Sequence, residues 1–134
     1  MRGVILLALT LLALAASTSL QAGTSPTTSL RIAYWEGPGN TPDVVWTLGC
    51  NPARGSLFRP AVACRKLAAG GAKLFAPVRP GTVCTEIYGG PQRARIVGVL
   101  AGKRVWATFT RTNGCHIDRW NRFVPWLLPP GSVT

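Results

Sequence analysis

Hydrophobic and polar residues alternate along several short segments of the chain, which is the pattern of strands with one buried face. Four such segments are rich in β-branched and aromatic residues, and they span 30–35, 44–48, 94–100 and 104–110. In the fourth segment Val105, Ala107 and Phe109 fall on one side. Because only Ala101-Gly102-Lys103 separates the third segment from the fourth, the two are predicted to form a β-hairpin.

One segment has a different character and is predicted to form the main helix. Residues 60–69 are rich in alanine, begin with Pro60 and are followed by Gly70-Gly71. A proline at the first turn and a glycine just past the end are the expected signals for a helix. At helical spacing, one face of this helix would consist of Ala61, Cys64, Leu67 and Ala68.

The remaining C-terminal region is less regular. Residues 116–126 are predicted to form a short helix or an irregular segment, with a last edge strand near Phe123-Val124. Together the elements indicate a small α+β domain, in which a mostly antiparallel sheet carries one main helix on one face.

The N-terminal residues have the features of a secretory signal peptide: a positive start, an almost unbroken apolar run over residues 4–16, and small residues after it. The run is short for a membrane span, so a single N-terminal anchor helix is the less favoured alternative. The predicted organisation is a signal peptide at 1–22, a flexible leader at 23–29, a domain at 30–126 and a C-terminal tail at 127–134. The protein is therefore predicted to be secreted and extracellular, with membrane contact only through the cleaved signal peptide.

Four cysteines follow the signal region: Cys50, Cys64, Cys84 and Cys115. In an exported protein an even number predicts two disulfides, for which three pairings exist. If neighbours in sequence pair, the closed loops contain about 15 and about 32 residues, and each bridge contributes roughly 3–4 kcal/mol in the chain-entropy model. Zinc is the disfavoured alternative, because the chain has one histidine, His116, and no Cys-x-x-Cys pair.

The chain is strongly basic, with a formal net charge of +11 and only four acidic residues. Such a surface attracts anionic partners over long range. The basic residues are scattered, form no long run and belong to no nucleic-acid-binding motif, so no specific nucleic-acid binding is predicted. With one histidine and four dispersed acids, nothing indicates a catalytic triad, and the chain is predicted to be neither an enzyme nor a cofactor-binding protein.

The segment 81–92 carries the most informative pattern for function. It is bounded by Pro80-Gly81 on one side and Gly89-Gly90-Pro91 on the other, and it contains Cys84 two residues before Glu86. A short extended segment that is anchored by a sulfur and flanked by turn formers is suited to insertion into the cleft of another protein. It is predicted to be the reactive loop of a secreted protease inhibitor, and an ordinary disulfide-anchored turn is the alternative.

Several motifs in order resemble the Streptomyces subtilisin inhibitor family: Trp-Thr-Leu-Gly-Cys-Asn-Pro at 46–52, Ala-Cys-Arg-Lys-Leu at 63–67, Cys-Thr-Glu-Ile-Tyr at 84–88, Gly-Val-Leu-Ala-Gly-Lys-Arg-Val at 98–105 and Asn-Gly-Cys at 113–115. The resemblance covers nearly the whole predicted domain. It implies the disulfides Cys50–Cys64 and Cys84–Cys115, a five-stranded antiparallel sheet with two helices, and a homodimer through the sheet.

The resemblance also implies a function, the inhibition of subtilisin-like serine endopeptidases, and a reactive bond between Glu86 and Ile87. Cys84 and Thr85 would contact the protease on the acyl side, and Tyr88 on the leaving side. Family members that target subtilisin tend to carry an apolar or basic residue in place of Glu86, so a glutamyl-specific endopeptidase is a second expected partner. The Gly-Gly-Pro segment after the loop is one residue longer than the best-known pattern.

Two further expectations concern the surface. A non-inhibitory or weakly inhibitory cationic protein of the same fold, which binds polyanions of the cell envelope, is the competing function. Among the five tryptophans, Trp120 and Trp126 are expected to be the most exposed, because Arg119, Arg122 and Pro125 surround them.

Overall fold

The structure is a computed structural model that describes residues 23, 25 and 27–132, so the predicted signal peptide lies outside the described residues. Its strands are β1 (Thr28–Trp35), β2 (Val44–Cys50), β3 (Arg93–Leu100) and β4 (Lys103–Phe109). They form one sheet in the order β2-β1-β3-β4, and every neighbouring pair is antiparallel. The four predicted strand segments are therefore confirmed.

The pairing register explains the alternation seen in the sequence. Leu30 of β1 lies opposite Leu48 of β2, and Ile32 lies opposite Ile96 of β3. All four side chains are buried, and Ile32 and Ile96 are completely inaccessible. Because directly opposed residues share one face of a sheet, these positions form one side of the hydrophobic core.

Two helices and one turn of 3-10 helix complete the domain: α1 (Pro60–Gly70), the 3-10 turn (Ala72–Phe75) and α2 (Gly114–Asn121). Helix α1 ends where Gly71 adopts a positive φ of 63° and donates its N–H to the carbonyl of Leu67 at 2.8 Å. The predicted helix is confirmed, and its predicted face is confirmed at Cys64 and Leu67 but not at the two alanines.

The buried residues of α1 are Ala63 and Leu67, whereas Ala61 and Ala68 are exposed. The helix packs against the edge strand β2 and is joined to its end by the Cys50–Cys64 disulfide. A helix that packs against the edge of a sheet buries only a narrow row of side chains. In α1 the packing against β2 determines which residues form this row, and the positions of the alanines in the sequence do not.

Aromatic side chains fill the core between the sheet and α2. The rings of Phe109 and Phe123 meet edge to face at 4.9 Å between centroids, and Phe75 lies 5.4 Å from Phe123. Trp120 is completely buried beside them.

The expectation of a fifth strand is wrong for the described residues. Phe123-Val124, the predicted edge strand, forms a turn in which the two N–H groups donate to the carbonyls of Trp120 and Asn121. Phe123 points into the core, and Pro125 lacks the N–H that a strand pairing would need. The sheet therefore ends at β4.

The predicted domain boundaries also need correction. Strand β1 begins at Thr28, inside the segment predicted to be a flexible leader. At the other end Leu127 and Leu128 are buried in the core, although the domain was predicted to end at Trp126. Leucine side chains that fill the core cannot belong to a loose tail. No helix in the described part of the chain has the length and apolar character needed to cross a membrane.

Candidate functional site

The predicted reactive segment is displayed at the surface. Residues 82–90 have no regular secondary structure, and Glu86 is exposed. The exposed fraction is 62% for Ile87 and 58% for Tyr88. Within the described part of the chain, residues 86–88 make no hydrogen bond, so their backbone groups are available to an incoming protein chain.

The residues just before Glu86 are held by two contacts. Cys84 is joined to Cys115, at the start of α2, by a disulfide with a Cα–Cα distance of 5.4 Å. The carbonyl of Thr85 accepts a hydrogen bond from the N–H of Gly114 at 2.9 Å. A Cβ at Gly114 would lie 2.1 Å from the hydroxyl oxygen of Thr85, so this close approach requires glycine.

The residues after Ile87 are held by a separate contact. The N–H of Gly89 donates to the carbonyl of Arg111 at 2.7 Å. A Cβ at Gly89 would lie 2.8 Å from the side chain of Ile117, so glycine again permits the approach. The Glu86–Ile87 peptide bond therefore lies between two tethers, one at Thr85 and one at Gly89.

The chain that leads into the loop is fixed by a buried cation that the sequence analysis missed. The guanidinium of Arg119 donates to the carbonyls of Phe75 at 2.9 Å, Ala76 at 2.8 Å and Thr108 at 2.6 Å. It also stacks 4.0 Å from the ring centroid of Phe109. Burial lowers the pKa of Arg119 from its usual value. No local sequence signal distinguishes Arg119 from its exposed neighbour Arg122, because all its partners are distant in the chain.

A polar cluster lies behind the leaving side of the loop. Glu36 accepts hydrogen bonds from the hydroxyl of Tyr34 and from the side-chain amide of Gln92. These bonds hold the pKa of the Glu36 carboxyl below its usual value. Burial, together with the hydrogen bond to Glu36 and its charge, raises the pKa of Tyr34 above its usual value.

The other residues considered from sequence lie apart from this arrangement. His116 is half-buried, and its backbone N–H donates to the side chain of Asn113 at the start of α2. Asp118 is exposed. The expectation for tryptophan is wrong: Trp120 is completely buried and lies 6.2 Å from the ring of Tyr34, and Trp126 is half-buried. The exposed tryptophan is Trp106, at 75%.

Trp106 belongs to the outer face of the sheet, which the helices leave open. The pairing of the strands places Arg31, Val97 and Trp106 in one row across this face. Arg95 lies in the neighbouring row of the same face. The guanidinium of Arg95 lies 5.6 Å from the ring centroid of Trp106. Arg104 adds a further positive charge from the edge strand β4. The outer face is therefore cationic with one exposed aromatic ring.

An exposed segment that is held to the scaffold on both sides of one peptide bond is the arrangement expected of substrate-like protease inhibitors. Comparison with known proteins agrees. The family model described as subtilisin inhibitor-like matches residues 26–113, and the chain belongs to this family. The membership supports a protease inhibitor directed at subtilisin-like serine proteases, and the family and fold are those of inhibitors rather than enzymes.

One matching solved structure is Streptomyces caespitosus sermetstatin in complex with Bacillus licheniformis subtilisin. The identity is 29%, the match covers 69% of this chain and 90% of that chain, and the TM-score is 0.49. No curated protein sequence gives a significant match.

Proposed function

We propose that this chain is a secreted inhibitor of a subtilisin-like serine endopeptidase and that it offers the Glu86–Ile87 bond to the enzyme. Cys84, Thr85, Ile87 and Tyr88 are the neighbouring contact residues. The observation that carries the proposal is the pair of tethers, at Thr85 and at Gly89, around a segment with free backbone groups. A protease can pair its own main chain with such a segment as it does with a substrate.

Rigidity explains why binding would be tight. A loop already held in its bound shape loses little conformational freedom on association, so more of the contact energy is available for affinity. Protease–inhibitor interfaces bury roughly 1,600 Å² in total. In the proposed complex, residue 86 would lie at the centre of this interface, in the primary specificity pocket of the protease.

The same tethers explain why cleavage would be unproductive. Attack by the protease serine on the carbonyl of Glu86 breaks the bond to Ile87, forms an acyl ester and releases the amine of Ile87. The contact between Gly89 and Arg111 keeps that amine near the ester. The amine can then attack the ester, expel the serine and re-form the peptide bond.

Glu86 determines which protease is inhibited. A carboxylate that enters an apolar pocket without a partner costs several kcal/mol or takes up a proton. The proposed target therefore has a pocket that accepts an acidic side chain, as glutamyl-specific endopeptidases do, or tolerates it because the loop main chain supplies most of the affinity.

The test is a titration of the oxidised protein against subtilisin and a glutamyl-specific endopeptidase in parallel. Wild type, Glu86→Met and Glu86→Ala are compared, and Asp118→Asn is the control because it removes an exposed acid outside the loop. We expect stoichiometric inhibition that changes with residue 86 and not with residue 118. If none of the proteins inhibits either enzyme, the proposed function is wrong for these targets.

Secretion is part of the proposal and rests on the predicted signal peptide at 1–22. The expected mature chain begins at Gly23, after Ala22. The intact mass of protein recovered from the culture medium measures this directly, and a mass that retains residues 1–22 contradicts it.

A second candidate function is favoured by the outer face of the sheet. Arg31, Arg95 and Arg104 together with Trp106 would attract an envelope polyanion. The homodimer implied by the resemblance would instead join two of these cationic faces. Polyanion binding weakens with added salt, whereas the dimer strengthens as charge repulsion is screened, so sedimentation at two salt concentrations distinguishes them.

A further inference from the structure

Gln92 is a polar side chain that is almost completely buried, with 1% of its surface exposed. Its amide nitrogen donates to the carboxylate of Glu36 and to the backbone carbonyl of Ser132, each at 2.9 Å. Its amide oxygen accepts a hydrogen bond from Arg111 at 3.1 Å. Because both ends of the amide have partners, Gln92 is fixed in orientation, and it lies immediately after the glycine-rich end of the loop.

Arg111 connects this buried amide to the loop. Its side chain is buried and bonds to Gln92, while its backbone carbonyl accepts the N–H of Gly89. The leaving side of the loop is thus attached to Arg111 directly through Gly89 and again through Gln92, three residues further on. A movement of Arg111 would disturb both attachments.

The C-terminal segment 129–132 closes over this pair. The carbonyl of Pro129 accepts the indole N–H of the buried Trp120 at 2.9 Å, which fixes the start of the segment. Gly131 packs so closely on Arg111 that a Cβ there would lie 1.6 Å from its guanidinium nitrogen. Ser132 contacts Gln92 and also donates its hydroxyl to Glu36 at 3.0 Å. These residues lie beyond the part of the chain that the family model matches, 26–113.

We infer that residues 129–132 form a C-terminal clamp that acts through Arg111 and Gln92 to hold the leaving side of the reactive loop. The inference rests on the proposed inhibitory function and assigns positioning residues to it. By holding the leaving side in place before binding, the clamp also lowers the conformational cost of association. After cleavage it keeps the amine of Ile87 close enough to re-form the bond. Without it the amine moves away, water completes hydrolysis, and the inhibitor becomes a slow substrate.

The clamp also restrains a flexible arm of the loop. Gly89 and Gly90 are two consecutive glycines, and a glycine-rich arm has more conformational freedom than other sequences. Attachment at both Gly89 and Gln92 removes that freedom.

Gly131→Ala is the most direct test, because the added methyl group cannot fit beside Arg111 unless the clamp opens or Arg111 leaves Gln92. Gly39→Ala is the matched control, since a Cβ at Gly39 meets nothing within 4 Å. A second variant that ends at Pro130 removes the contacts of Gly131 and Ser132 without adding a clash, and it leaves the buried Leu127 and Leu128 in place.

Each protein is mixed with the protease, and two quantities are followed: the inhibition constant at early times and the fraction of loop cleaved over hours. We expect Gly131→Ala and the shortened chain to have a higher inhibition constant than wild type, and their loops to be cleaved about tenfold faster, the effect of losing one hydrogen bond. Because a buried hydrogen bond is also lost from the folded state, the melting temperature should lie about 5 °C below that of Gly39→Ala. Cleavage at the wild-type rate in both clamp variants overturns the inference.

Failure of the proposed function is distinguishable from failure of the clamp. If wild type inhibits no protease, amide hydrogen exchange at Gly89 is measured by NMR in the absence of protease. Faster exchange at Gly89 in Gly131→Ala than in Gly39→Ala supports the clamp. Equal exchange contradicts it.

Discussion

Replacing the buried Arg119 by methionine tests the scaffold on which the loop depends. Methionine fills a similar volume but offers no donor, so the carbonyls of Phe75, Ala76 and Thr108 lose their partner. Phe75 is a buried residue, whereas Ala76 and Thr108 are exposed and can recruit water. The main cost is therefore one unsatisfied buried carbonyl and the lost stacking on Phe109.

The expected loss of stability follows from these contacts. An unsatisfied buried acceptor costs roughly 1–3 kcal/mol, and a desolvated cation on an aromatic ring contributes up to about 2 kcal/mol. Methionine also removes the desolvation cost of the charge, which offsets part of the loss. The net expectation is a decrease of about 3 kcal/mol in the free energy of unfolding, a large fraction of the roughly 5–15 kcal/mol of a small domain.

Guanidinium chloride unfolding followed by tryptophan fluorescence measures this change. A loss of about 3 kcal/mol shifts the midpoint down by about 1 M for a domain of this size. Arg119→Lys retains the charge but replaces three fixed donor nitrogens with one, so its midpoint should lie between those of wild type and Arg119→Met. Arg122→Met is the control, because Arg122 is exposed on the same stretch of chain.

The result that refutes this reasoning is a shift of Arg119→Met no larger than that of Arg122→Met. Equal shifts would mean that water replaces all three hydrogen bonds, and that Arg119 does not fix the chain leading into the loop.

Three further predictions concern the same scaffold. Gly114→Ala forces a methyl group against the Thr85 hydroxyl, so we expect the protease to cleave the loop faster. Adding Thr85→Ala to this variant should restore the wild-type cleavage rate. If the rate is not restored, the clash with Thr85 is not the cause. The pKa of Glu36 is lowered by folding, so its stabilisation is present above its unfolded value of 4.5 and is lost as pH falls through the folded value. The pKa of Tyr34 is raised by folding, so the stabilisation it contributes is lost as pH rises above 10.0. The melting temperature should therefore decrease both at low pH and at high pH. Glu36→Gln should remove the decrease at low pH, and Tyr34→Phe should remove the decrease at high pH. Trp106→Ala should change the free energy of unfolding by less than about 0.5 kcal/mol, because the side chain is 75% exposed, and a larger loss in denaturant unfolding would show that it packs in solution.

The strands and the main helix were predicted correctly because their signals lie in neighbouring residues of the sequence. Val105, Ala107 and Phe109 alternate in sequence and are buried in the structure, because a strand with one covered face must repeat every two residues. The proline and glycines at the ends of α1 fixed its bounds to within a residue.

Residues whose role depends on distant partners could not be predicted in this way. Arg119 and Gln92 are polar, and polar residues are most often exposed, so sequence favoured a surface position for both. Their partners lie 11 to 44 residues away for Arg119 and 19 to 56 residues away for Gln92. Trp120 was misplaced for the same reason, because Tyr34, the aromatic residue it packs against, is distant in the chain.

If Glu86–Ile87 is the reactive bond, as we propose, selectivity and persistence of inhibition reside in different parts of this molecule. Glu86 is exposed and makes no hydrogen bond within the described chain, so it can change without disturbing the scaffold. The tethers at Thr85 and Gly89 use backbone groups only, so they hold the loop whatever residue occupies position 86. The choice of protease can therefore change by substitution of one side chain. By the inferred action of the clamp, the lifetime of the complex would depend instead on buried contacts that begin as far away as the C-terminal segment.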